Sequence, residues 1–99
     1  MREREVESHL GAEVEKLGGK CVKFLPDLMP GMPDRIIILP RGILVWCELK
    51  KPKGGRLSSL QKLRHKWLVS MGQEVVVVWT KEEADDLCRE LGTRIQASP

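Results

Sequence analysis

Apolar residues recur at helical spacing over residues 2 to 17, where Val6, Leu10, Val14 and Leu17 share one face and Gly18-Gly19 ends the pattern. Cys21 to Leu25 reads as a short strand. The following stretch, PDLMPGMP, carries three prolines and a glycine and excludes regular structure. Arg35 to Leu39 and Ile43 to Lys50 are β-rich runs joined by Pro40-Arg41-Gly42, a three-residue hairpin connection whose last position calls for positive φ. Ser58-Ser59 opens a helix through Leu60, Leu63, Trp67, Leu68 and Met71 that Gly72 closes. Glu74 to Thr80 holds four consecutive valines and is expected to be a central strand covered on both faces. Thr80-Lys81-Glu82-Glu83 is a capping-box start to a last helix expected to end near Gly92. The order α-β-β-β-α-β-α predicts an α/β sandwich around a mixed sheet, because the strand after the middle helix can return parallel through a crossover.

Ninety-nine residues are expected to form one domain, spanning 1–99. A charged fraction of 31% beside an apolar fraction of 41% is the profile of a globular chain rather than a disordered one. The net charge of +3 says less than its distribution: Lys50 to Lys66 holds seven Lys or Arg and no acid, while Glu82, Glu83, Asp85, Asp86 and Glu90 crowd the last helix. One positive face suits a polyanion. Cys21, Cys47 and Cys88 have no metal-ligand spacing and read as reduced core thiols, which points to a cytoplasmic protein, of a bacterium or of the host cell if viral. No apolar run reaches membrane-spanning length, and MREREVESH has no signal-peptide core.

The hairpin register brings chemistry together. With residues 40 to 42 as the loop, Leu39 faces Ile43 and Asp34 falls opposite Glu48. Directly opposed residues share a face, with Cβ atoms about 4.5–5.5 Å apart. Lys50, two residues beyond Glu48, projects from that face as well. Two converging carboxylates repel, and a divalent cation offsets both charges. Hard oxygens without His or Cys suit Mg²⁺ or Mn²⁺. Lys50 is then placed to orient or deprotonate a water, or to stabilise charge on a phosphate. Taken singly, each residue also fits a surface ion pair or, for Asp34, a turn cap.

Gly31-Met32-Pro33-Asp34, then Glu48-Leu49-Lys50 across the hairpin, then Gln61 in the next helix resemble the VRR-NUC branch of the PD-(D/E)XK nucleases, from about Glu3 to Trp79. The resemblance implies a restriction-endonuclease-like fold, with Asp34, Glu48 and the Leu49 carbonyl as metal ligands and Lys50 as the catalytic lysine. It also implies a glutamate from the first helix, for which Glu7 is chosen and Glu3 competes. Stand-alone members of this kind are homodimers acting on branched DNA. The chain is therefore expected to be an Mg²⁺-dependent, structure-selective DNA endonuclease, a Holliday junction resolvase working as a homodimer. A flap, end or duplex nuclease within a larger machine, and a DNA-binding module without turnover, are the alternatives.

Gln61 has two readings, since Ser58-x-x-Gln61 is itself a capping box. His65, one turn later on the same helix, has two readings as well, approach to the cleft or, more commonly for such a histidine, a solvated helix residue. Lys51, Lys53 and Arg56, around Gly54-Gly55, are the candidate phosphate contacts. Trp46 and Trp67 sit among apolar neighbours and read as packing residues.

Overall fold

The computed structural model describes residues 2–25 and 27–97. Pro26, the head of the proline-rich loop, lies outside the described residues, as do residues 1, 98 and 99. The elements are α1 (Glu3–Lys16), β1 (Lys20–Lys23), β2 (Arg35–Ile38), β3 (Leu44–Leu49), α2 (Ser59–Ser70), β4 (Val75–Val78) and α3 (Lys81–Ala97), in the order read from the sequence. They build a four-stranded mixed sheet, β1-β2-β3-β4, antiparallel except for the parallel β3–β4 pair.

Alternation along β2 and β3 sorts their side chains between two faces. Ile37, Val45, Cys47 and Leu49 point to one face, where Val6, Leu10 and Val14 of α1 and Ala84, Cys88 and Leu91 of α3 cover them. Each such aliphatic side chain stabilises the fold by roughly 1.5–3 kcal/mol on burial. Asp34, Ile36, Trp46 and Glu48 point to the opposite face, the side on which α2 lies. The hairpin register is the expected one: Arg35 pairs with Cys47 and Ile38 with Leu44. Gly42 takes φ 74°, as its place in the turn requires, but Arg41 also turns left-handed at φ 70°, at a cost of about 1 kcal/mol.

Two expectations are corrected. β4 is an edge strand of the described sheet, not a central one. Its valine run reflects cover from α2 on one side and α3 on the other, which says nothing about how many strands flank it. Next, α3 continues past Gly92 to Ala97. That glycine is a point of close approach, since a Cβ there would sit 3.2 Å from Leu17 Cδ2 of the α1 end. In α2 only Leu68 is buried, while Leu60, Leu63, Trp67 and Met71 lie exposed. The face it turns inward is Gln61, Arg64, His65 and Leu68.

Candidate active site

Hydrogen-bond parity along the hairpin decides how close the two acids come. The Leu39 amide donates to the Ile43 carbonyl at 2.9 Å, which makes that pair a hydrogen-bonded one. Such pairs alternate with narrow, non-hydrogen-bonded pairs whose facing Cα atoms are about 4.5 Å apart. Arg35–Cys47 is of the first kind, and Asp34–Glu48, one step on, is of the narrow kind. In agreement, the Asp34 carbonyl turns the other way and accepts from the Phe24 amide at 2.9 Å. One further step sets Pro33 opposite Leu49. A proline has no N–H, so this ladder position offers the Leu49 carbonyl no donor. The Leu49 amide in turn donates to Asp34 Oδ1 at 3.2 Å.

The electrostatics follow from that placement. Glu48 is only 3% exposed, and burial first, then the Asp34 charge, push its carboxyl up to about 7, with Glu3 adding to the rise and Lys50 opposing it. Asp34 is also raised, chiefly by burial, against the Leu49 amide bond and the Arg35 charge. A cleft of about 430 Å³ is lined by Asp34, Glu48 and Lys50 together with Arg56, Gln61 and Gly31. Buried Glu48 Oε1 has no hydrogen-bond partner. A buried carboxylate, a second acid across a narrow pair and a carbonyl facing a proline form a hard-oxygen set that fits a divalent cation. Among the described residues no three His, Cys, Asp or Glu side chains cluster as a ligand set, so such a cation would draw on two carboxylates, a backbone oxygen and water.

Gly31 fixes the wall of this cleft. Its φ is 88°, and a Cβ there would lie 2.7 Å from Leu60 Cγ and 2.8 Å from Arg64 Cγ. The glycine lets the loop before Pro33 lie directly on α2, and Arg64 Nε donates to the Pro30 carbonyl at 3.0 Å to hold it there. Gln61 completes the capping box, accepting from the Ser58 amide at 2.9 Å while its own amide donates to Ser58 Oγ at 3.1 Å. It is at once cap and cleft lining. Of the two readings of His65 the solvated one is set aside: its side chain is 12% exposed and its Nε2 stands 3.5 Å from Glu48 Oε1. The signal for it was available, since His65 falls one turn from Gln61 on the same face.

The first-helix glutamates line one cleft but have different partners. Glu7 forms an ion pair with Arg35, Oε1 to Nη2 at 2.5 Å, and Arg35 belongs to the face covered by α1 and α3. Glu3 is the carboxylate whose charge raises both Asp34 and Glu48. The candidate phosphate contacts are divided as well. Arg56 lines the cleft of the two acids, whereas Lys51 and Lys53 line a neighbouring cleft of about 620 Å³ with Arg2, Glu3, Arg4 and Glu7. Arg2 and Arg4 were not anticipated, and their alternation with acids in RERE concealed them. Trp46 is half-buried and meets Phe24 edge-on, with centroids 5.3 Å apart.

No family model matches the chain. A solved structure described as "VRR_NUC domain" superposes with a TM-score of 0.81 at 30% identity, covering 88% of this chain and 94% of that one. "Putative nuclease p44" of Acyrthosiphon pisum secondary endosymbiont phage 1 is 37% identical over 78 residues, 79% of this chain and 83% of the relative. The chain belongs to the VRR_NUC family. Its mixed sheet with flanking helices is the VRR_NUC, restriction-endonuclease-like fold, and it is a nuclease of that type. The VRR_NUC fold suggests divalent-metal use, in keeping with the hard-oxygen set. No described helix is long and apolar enough to cross a membrane.

Proposed function

We propose that this VRR_NUC protein is an Mg²⁺-dependent DNA endonuclease, Mn²⁺ serving in its place, and that residues 1–99 act as one nuclease domain. The observation that carries the reading is the narrow Asp34–Glu48 pair, converging with Lys50 in one cleft. Asp34, Glu48 and the Leu49 carbonyl would hold the cation, and Glu3, whose charge acts on both acids, is the first-helix acid favoured over the ion-paired Glu7. When bound, the cation supplies a Lewis acid and an activated water to phosphodiester hydrolysis. The Lys50 ammonium, from the same face of β3, orients the attacking water or stabilises charge on the phosphate. Gln61 lines the approach, Arg56 meets the phosphate beside the acids, and Lys51 and Lys53 carry the backbone onward along the neighbouring cleft with Arg2 and Arg4.

The preferred substrate in this reading is branched DNA, including the four-way Holliday junction. One site per chain cuts one strand, so paired cuts need a homodimer. The exposed apolar residues Leu63, Trp67 and Met71 of α2 support self-association. Three free thiols fit a reducing cytoplasm, bacterial or of an infected host. Cleavage of labelled junction, flap and linear duplex in Mg²⁺, with size-exclusion analysis beside it, tests the proposal. Junction-selective cutting by a dimer supports it. Equal cutting of plain duplex by a monomer refutes the resolvase reading, and DNA binding without any cutting refutes the enzyme.

A further inference from the structure

Of the four residues on the inward face of α2, three have a visible task. Leu68 is buried, Arg64 holds the Pro30 carbonyl and Gln61 caps its own helix. His65 is left over. Its Nε2 is buried without a hydrogen-bond partner, and so is Glu48 Oε1, 3.5 Å away. One atom is a potential N–H donor and the other an acceptor. The gap exceeds a hydrogen bond by a few tenths of an ångström, which a small rotation of either side chain closes. A water bonded to both would have to bridge them at an acute angle. Two groups of complementary chemistry, each costly to bury alone, are thus held face to face by different elements, β3 and α2.

The strand fixes the Glu48 backbone but not the rotation of its carboxylate. A carboxylate that must offer one oxygen to a cation gains fixity when its other oxygen is held from behind. We infer that His65 is a positioning residue: its Nε2–H donates to Glu48 Oε1 and turns Oε2 toward Asp34 and the cation. This inference rests on the reading of Glu48 as a ligand.

The test measures Mn²⁺ binding to the full chain without DNA, by calorimetry, together with thermal melts. His65→Gln keeps an amide N–H at the reach of Nε2, His65→Asn keeps a polar group that stops short, and His65→Leu removes the donor at similar volume. Expected are Mn²⁺ affinities about ten-fold weaker or more in His65→Leu and His65→Asn, and within about three-fold of the parent in His65→Gln. Parent-like affinity in His65→Leu, or equal losses in all three variants, overturns the inference. If His65→Leu does not fold, the contrast of His65→Gln with His65→Asn decides. Glu48→Gln separates the two layers: unchanged Mn²⁺ binding there refutes the ligand reading itself, whereas loss there with parent-like His65 variants refutes the positioning role alone.

Discussion

The Leu49 amide donates to Asp34 Oδ1 at 3.2 Å, so one carboxylate oxygen of the site is tied to the backbone of the strand that carries the other acid. An asparagine at position 34 keeps that acceptor and removes only the charge. Asp34→Asn is therefore expected to melt within about 2 °C of the parent, to bind DNA with similar affinity and to lose cleavage by at least roughly 100-fold. Lys50→Ala is expected to behave likewise. A strand-cleavage assay beside a binding titration checks both, and full activity in Asp34→Asn would exclude the cation site.

Gly31→Ala asks whether the wall of the cleft depends on the close approach of loop and helix. The new methyl would meet Leu60 and Arg64 under 3 Å in a left-handed backbone. The expected loss is about 2 kcal/mol or more, a fall of roughly 10 °C in Tm, with cleavage falling further than stability explains because Gln61 and His65 shift with α2. Calorimetry and activity on the same preparation measure the two effects.

Gln61→Glu separates the cap from the cleft. Glutamate serves a capping box as well as glutamine does, so stability should hold. A third negative charge beside Asp34 and Glu48 should nevertheless lower cleavage by about ten-fold. Unchanged cleavage would reduce Gln61 to its helix-start role.

In EDTA the folding stability should respond to pH through Glu48. Its carboxyl pKa rises from 4.5 to about 7 on folding, so the native state binds the proton more tightly. Its contribution is full below the unfolded pKa and is lost as pH climbs through 7. Stability should rise by roughly 1 kcal/mol on going from pH 8 to 6.5. Asp34, also raised, acts in the same direction at lower pH, whereas His65, whose pKa is lowered, opposes below its ordinary value. Urea titrations of the parent and of Glu48→Gln check this, because the variant should lose the rise.

Lys53→Ala should weaken DNA binding without changing the rate at saturating substrate. The slope of log affinity against log salt should flatten by about 0.9 for each phosphate contact removed. Arg4→Ala should do the same if the larger cleft is the backbone's path. A binding series from low to high salt reads both.

Much of the fold was legible because its signals are local. The spacing of Val6, Leu10 and Val14, the Gly42 turn and the two capping boxes each act within a few residues. The acidic pair was legible for a related reason, since a hairpin with a known loop has only one register. What escaped was decided at a distance. Gly92 reads as a stop, yet Leu17 from α1 approaches it and the helix runs on. Hydrophobic spacing does not give the inward face of α2, since Leu60, Leu63 and Trp67 outnumber the single inward Leu68 and the other groups turned inward, Gln61, Arg64 and His65, are polar. Glu3 acts on the acidic pair only through tertiary placement, and for His65 the one-turn spacing from Gln61 gives the face but not the contact with Glu48.

Asp34 and Leu49 stand 15 positions apart along the chain, joined by one short turn. A hairpin of this kind closes within microseconds, whereas the parallel β4 must wait for the whole length of α2 to be spanned first. The repelling carboxylates can therefore meet while the sheet is still open to solvent, where water screens them. The helix is expected to arrive later and drive that water out, which would defer the expense of keeping two acids side by side to the last stage of maturation.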